Sequence, residues 1–220
     1  MKKERRGTRG VASRSKATHV LPLLTDLIFV SITILLVLNY VRVMLLYAET
    51  SLVIIREAFF VVFLLAALIL LVIRRRARVF SGKKVDYLYT VVGFSSALLF
   101  QLTLNNGPFI VGASFEVVGL VLVVGAFLSL NRSFGLAPEN RGVKTGGMYR
   151  FVRHPMYLGY ILAEVGYVLD NFSPFNLLIW MISVLFLLLR LRAEERLLMQ
   201  DRAYRSYANK TRWRLIPPIF

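Results

Sequence analysis

The feature that most constrains this chain is the alternation of long apolar segments with strongly basic connections. Apolar segments fall at about residues 20–41, 52–73, 86–104, 109–130, 155–169 and 174–192. A helix that crosses a bilayer needs about 20 predominantly apolar residues. With 57% hydrophobic residues and a mean hydropathy of +0.63, the pattern predicts an all-α integral membrane protein with about six transmembrane helices.

The basic residues fall in alternate connections. Lys and Arg number 7 in residues 1–20, 6 in 74–84, 5 in 131–156 and 8 in 190–220, out of 28 in the chain. Cytoplasmic loops of membrane proteins carry an excess of these residues. The pattern therefore predicts a multi-pass protein with both termini in the cytoplasm. The net charge of +16 then indicates contact with anionic membrane lipid, and we expect no nucleic acid partner.

Three regions follow from this organisation. Residues 1–19 are basic and polar and are expected to form a disordered arm, and residues 20–108 hold the N-terminal transmembrane helices. Residues 109–220 hold the remaining helices and a basic, cytosolic C-terminal tail. The last two apolar segments are separated only by the turn-forming residues 170–174, which predicts a helical hairpin. The segment from residue 155 is short for a full crossing.

The longest polar passage between apolar segments is Arg141–Gly159, and it contains His154, one of two histidines. Pro155 disfavours the α conformation at His154 and suits the first turn of a helix. The sequence thus predicts a helix that begins at Pro155, with free backbone N–H groups at its mouth that suit an anion. The alternative is a basic loop that only anchors two membrane helices.

A second polar group follows the last apolar segment. If that helix continues past the membrane, Arg190 and Glu194 lie on one face, four residues apart. The turn at 170–174 would return them to the beginning of the preceding helix, beside His154 and Tyr157. The alternative is an ordinary interfacial ion pair with a snorkelling arginine.

Two further observations concern the chemistry. The chain has no cysteine and two histidines far apart in sequence, so we expect no metal site. Glu164 lies within an apolar segment, where a carboxyl group often has a functional role. It follows Tyr157 by seven residues and so shares its helix face, although it could instead be a hydrogen-bond partner between helices.

The passage from Gly147 to Gly159 resembles the signature G-x-Y-x-x-x-R-H-P-x-Y-x-G of the isoprenylcysteine carboxyl methyltransferase family, which is related to the membrane phospholipid methyltransferases. Residues 190–195, Tyr204, Tyr207 and the segment 215–217 resemble the C-terminal signature of the same family. The likeness covers about residues 115–220.

The resemblance implies an enzyme dependent on S-adenosylmethionine (SAM), with a cofactor site built from the last helices and their cytosolic connectors. It implies that the region 109–220 is the methyltransferase core and that the active site faces the cytoplasm. By position, Arg190 and Glu194 match catalytic residues, Arg190 handling the substrate carboxylate. The implied cofactor-binding residues are Arg141, Gly142, Val143, Lys144, Tyr149, His154, Pro155, Met156, Tyr157, Glu194 and Glu195.

Three functions remain open at this point. The first is methylation of a lipid-embedded carboxylate, with a prenyl-cysteine as the type case of the family. The second is methylation of a phospholipid amine, for which Glu164 or Glu195 could take up the proton that the amine must lose. The third is a small transporter or membrane scaffold without enzymatic activity, which the clustering of polar residues on one membrane face disfavours.

Overall fold

The computed structural model describes residues 8–46, 51–101, 103 and 109–219, and most of these residues are helical. The helices are α1 (Thr8–Leu46), α2 (Ser51–Ile73), α3 (Lys84–Ser95), α4 (Phe109–Leu130), α5 (Pro155–Asp170), α6 (Pro174–Leu198) and α7 (Arg202–Lys210). Short 3₁₀ turns follow at Ser96–Leu99, Asn131–Ser133 and Gly147–Arg150.

Three of the described helical segments are long and apolar enough to cross a bilayer: Val20–Leu46, Ile110–Ser133 and Pro174–Leu198. Their outer surfaces carry many exposed aliphatic side chains, as expected where lipid replaces water. The chain is therefore built as an integral membrane protein, and the count of six spans stays a prediction. The backbone of α1 begins at Thr8 and so includes part of the predicted disordered arm, of which residues 1–7 lie outside the described residues.

The apolar segment 86–104, predicted as part of a membrane crossing, is not one continuous α-helix over its described residues. α3 ends at Ser95 and gives way to the 3₁₀ turn, where the Ser96 hydroxyl donates to the Gly93 carbonyl at 2.7 Å. Beyond it, the backbone N–H of Gln101 donates to Asn176 Oδ1 at 2.9 Å, and that of Thr103 to Asn171 Oδ1 at 3.2 Å. Beyond the helix, these backbone N–H groups are therefore satisfied by side chains at the α5–α6 turn and not by helical hydrogen bonds.

α5 packs most extensively on α4, in antiparallel orientation, through two pairs of glycines. A Cβ atom at Gly119 would lie 2.5 Å from the Gly159 carbonyl oxygen, and one at Gly112 would lie 2.7 Å from the Gly166 carbonyl oxygen. Only hydrogen side chains allow the two backbones to approach so closely. This contact fixes the height of α5, and hence of the His154 loop before it.

The predicted start of α5 at Pro155 is confirmed. α6 begins at Pro174 and continues past residue 192 to Leu198. The two helices are joined by residues 171–173, and the Ser183 hydroxyl donates to Glu164 Oε1 at 2.7 Å between them. At the other end, Tyr157 packs with Leu187, Leu191 and Leu215.

A feature that the apolar pattern does not predict is a small antiparallel sheet between connectors. β1 (Val79–Phe80) pairs with β2 (Glu139–Asn140). Next to it, Arg74 on the α2–α3 connector forms ion pairs with Asp26 of α1 and with Glu139. The sheet and these ion pairs attach the connector that follows α4 to the N-terminal helices.

Candidate functional site

A cavity lies where the connector after α4, the beginning of α5, the end of α6 and α7 meet. Ten of the residues predicted from the sequence line it: Arg141, Gly142, Val143, Lys144, Tyr149, His154, Met156, Tyr157, Arg190 and Glu194. Two predicted residues, Pro155 and Glu195, are not among its lining residues.

The helices α5 and α6 meet at the cavity through Tyr157 and Glu194. The Tyr157 hydroxyl donates to Glu194 Oε2 at 2.6 Å, and the His154 and Tyr157 rings meet edge to face with centroids 5.4 Å apart. The predicted convergence of His154, Tyr157, Arg190 and Glu194 is therefore present in the fold. Their roles in binding or catalysis stay predictions.

Arg190 is buried with its guanidinium between two aromatic rings. The guanidinium carbon lies 5.3 Å from the Tyr157 ring centroid and 5.1 Å from that of Phe94. Within the part of the chain that the structure describes, Arg190 forms no ion pair, and its buried Nε has no hydrogen-bond partner. A buried arginine normally has an anion beside it, so this guanidinium is available to an anionic ligand.

Glu195 has a different environment from its neighbour Glu194. Arg153 and His154 reach its Oε1 at 2.9 and 3.0 Å, the Tyr204 hydroxyl donates to the same oxygen at 3.0 Å, and Arg214 Nε donates to Oε2 at 2.8 Å. Side chains adjacent in a helix point about 100° apart, which is why only one of the two faces the cavity. Glu195 holds the loop, α7 and the tail together behind the cavity wall.

The C-terminal tail also holds the loop through its backbone. The N–H of Arg153 donates to the Trp213 carbonyl and that of His154 to the Arg214 carbonyl, each at 2.9 Å. The histidine side chain is turned to Glu195, and its ring edge remains part of the cavity lining. The loop geometry is thus imposed by residues about 60 positions later in the chain.

The opposite wall is formed by β2 and the residues after it. Arg141 forms a two-pronged ion pair with Glu139, its Nε and Nη2 donating at 2.9 and 2.8 Å. Gly142 follows with φ +101°, a conformation that favours glycine, and its N–H donates to Asn140 Oδ1 at 2.9 Å. The predicted contact residue Arg141 is therefore held in place by the protein before any ligand binds.

Four tyrosines line the cavity: Tyr149, Tyr157, Tyr204 and Tyr207. Tyr204 and Tyr207 lie on one face of α7, and the Tyr207 hydroxyl donates to the Tyr149 carbonyl at 2.6 Å. Burial raises the pKa of Tyr207 to about 12 and raises the pKa of Tyr149 and Tyr204 as well. These hydroxyls therefore stay protonated at neutral pH. Aromatic faces with an adjacent carboxylate suit an organic cation.

Several lining residues were absent from the predicted site. They are Glu139, Arg153, Tyr204 and Tyr207, together with small and apolar residues of the connector after α4. The three-residue spacing of Tyr204 and Tyr207 places them on one helix face and could have identified them. Among the described residues, no group of three or more metal-ligating side chains is found.

The described chain combines an apolar helical framework, as in an integral membrane protein, with a polar cavity at one end of its helices. Residues 106–206 match the family model for phospholipid methyltransferases. The match implies a membrane methyltransferase. No curated protein matches the chain.

Proposed function

We propose that the protein is a SAM-dependent methyltransferase that methylates a carboxylate on a membrane-embedded lipid, at the cytoplasmic face. The observation that carries the proposal is Arg190, a buried guanidinium without an ion pair among the described residues, within one helical turn of Glu194. A guanidinium matches a carboxylate with two parallel hydrogen bonds.

The lining residues fit SAM. Glu194 and the rings of Tyr149, Tyr157, Tyr204 and Tyr207 suit its sulfonium and ammonium groups. The space beside the Gly142 backbone is open to a ligand, because a Cβ atom at this position would meet no atom within 4 Å. When bound, SAM supplies an electrophilic methyl group.

The protein's own residues have few chemical tasks in such a reaction. A carboxylate acceptor is already ionised at neutral pH and needs no general base. Arg190 would orient it, and the aromatic walls would exclude water from the reacting atoms. The ion pairs of Glu195 and Arg141 keep these walls in place.

The second candidate is a phospholipid amine methyltransferase, which the family match favours. An amine must lose a proton before it attacks. The two oxygens of Glu195 already accept from four donors, which leaves Glu164 as the more available of the two carboxyl groups considered from the sequence.

The test is to incubate the purified protein in nanodiscs with methyl-labelled SAM and a lipid extract, and to identify the labelled product. A labelled carboxyl ester supports the proposal, and a labelled amine supports the second candidate. A protein that binds SAM and labels nothing in extracts from several sources would contradict both.

Arg190→Lys and Arg190→Gln refine the result. On a prenyl-cysteine analogue we expect kcat/KM to fall by at least about tenfold, or about 1.4 kcal/mol in the barrier, because lysine cannot form the two-pronged contact. The affinity for SAM should barely change. Undiminished carboxylate methylation in both variants would refute the role of Arg190, and a gain on an aminophospholipid would favour the second candidate.

A further inference from the structure

A second cavity lies deeper among the helices and shares Arg190 with the first. α1 and α2 contribute Leu36, Asn39, Phe60 and Leu64, α3 contributes Phe94, and α5 contributes Glu164. Arg190 lines both cavities, so one guanidinium forms part of the wall between the cytosolic site and this apolar space. A lipid lying in the second cavity would present its polar end to Arg190.

The walls are mainly apolar, but the lining is not that of a pure hydrocarbon site. Glu164 lines the cavity, with one carboxyl oxygen accepting from Ser183 at 2.7 Å. The amide of Asn39 lies on the α1 side of the same space. A carboxyl group facing a bound alkyl chain would lose its hydration without gaining a partner, which is costly.

The position of Glu164 determines where along a bound lipid a hydrogen-bond partner for its carboxyl group would have to lie. It lies seven residues after Tyr157 on the same helix, which is about 10 Å along the axis at 1.5 Å per residue. Tyr157 and Arg190 are in contact at the first cavity. A chain extending from Arg190 into the second cavity would therefore pass Glu164 about 10 Å from its polar end.

We infer that the second cavity binds the membrane-buried part of the methyl acceptor, and that Glu164 selects lipids that carry an O–H or N–H donor in this part of their chain. The inference rests on the proposed function for the identity of the occupant. It adds a specificity residue, Glu164, and a chemical requirement on the acceptor: a plain hydrocarbon chain is disfavoured, and a hydroxylated or amide-containing chain is preferred.

The test measures binding without SAM and without turnover. Tritiated octadecanoic acid and its mid-chain hydroxylated derivative are titrated onto the full-length protein in phosphatidylcholine nanodiscs, with empty nanodiscs as the blank. We expect the native protein to bind the hydroxylated probe about threefold to tenfold more tightly, the effect of one hydrogen bond.

Glu164→Leu should bring the ratio of the two affinities to about one, because the acceptor oxygen is gone. Glu164→Gln keeps a carbonyl oxygen and should retain part of the preference. Thermal midpoints show whether each variant folds. If Glu164→Leu does not fold, the affinity ratios of the native protein and of Glu164→Gln still test the inference. Equal affinities in the native protein, a preference that persists in Glu164→Leu, or no binding of either probe would overturn the inference.

The outcome is separable from that of the proposed function. A Glu164-dependent preference in a protein that methylates no lipid would leave the binding inference standing and count against the enzymatic proposal. Carboxylate methylation without a Glu164-dependent preference would support the enzymatic proposal and overturn the binding inference.

Discussion

At the scale of single residues, Glu194 and Glu195 show how adjacent identical side chains take different tasks. Glu194 lines the cavity and accepts from the Tyr157 hydroxyl, whereas Glu195 accepts from four side chains that hold the loop and the tail. Their substitution should therefore have different effects. A variant of Glu194 should lose ligand affinity, and a variant of Glu195 should lose stability first.

For Glu194→Gln we expect the affinity for SAM to fall at least about tenfold, with an unchanged thermal midpoint in the absence of ligand. The charge that would face the cofactor's cations is lost, and the hydrogen bond to Tyr157 can remain. Isothermal titration calorimetry in detergent, with a chelator present, measures this. Tyr89→Phe, which removes a hydroxyl outside the first cavity, is the control; equal affinity in Glu194→Gln and the native protein would contradict the assignment.

For Glu195→Gln we expect the thermal midpoint to fall by several degrees even without ligand. Removing one partner of a buried ion pair costs about 3–5 kcal/mol because the remaining charge is left uncompensated, and here Arg153 and His154 are both buried beside Glu195. A thermal midpoint equal to that of Glu194→Gln would show that Glu195 has no such structural role.

At the scale of elements, the sequence predicted the start of α5 but not which helices pack together. Pro155 marks the beginning of α5 because proline suits the first helical turn. The α4–α5 contact was not predicted, because its glycines recur every seven residues in each helix and not every four. The end of α3 was not predicted either. The backbone after α3 donates hydrogen bonds to the side chains of Asn171 and Asn176, which lie about 70 residues later in the chain.

The α4–α5 contact can be tested with a pair of glycines. Gly119→Ala should lower the thermal midpoint and weaken SAM binding, because the new methyl group would lie 2.5 Å from the Gly159 carbonyl oxygen and push α5 away. Gly93→Ala is the matched control: its methyl group would meet only the Phe186 Cβ atom and the Leu187 backbone nitrogen at 3.9 and 4.0 Å. Equal thermal midpoints for the two variants would contradict the proposed close packing.

At the scale of the whole molecule, the charge pattern predicts which face the site occupies. The connector 131–154, the end of α6 and α7 meet at the first cavity, and all of them belong to the basic segments assigned to the cytoplasm. The sequence could indicate these segments and their motifs. It could not indicate how the connectors pair, because the β1–β2 ladder and the Asp26–Arg74–Glu139 ion pairs join residues far apart in the chain.

The absence of cysteine from the sequence makes this orientation testable without removing any native thiol. Thr145→Cys introduces a thiol at an exposed position next to the first cavity, and Phe172→Cys introduces one in the α5–α6 turn at the other end of the helices. A membrane-impermeant maleimide should label the first only from the cytoplasmic side and the second only from the opposite side. The reverse pattern would invert the topology, and labelling of both from one side would show that α5 does not cross.

The backbone bonds from Arg153 and His154 to Trp213 and Arg214 also have a consequence for biosynthesis. Every helix around the first cavity is translated before the residues that close its loop. A frameshift shortly after codon 210 would therefore leave a chain that has the sequence of all its helices and lacks the two carbonyl groups that hold the loop. Such a product would be faulty at the loop and not in its apolar segments, so only a check on the folded loop could distinguish it from the native protein.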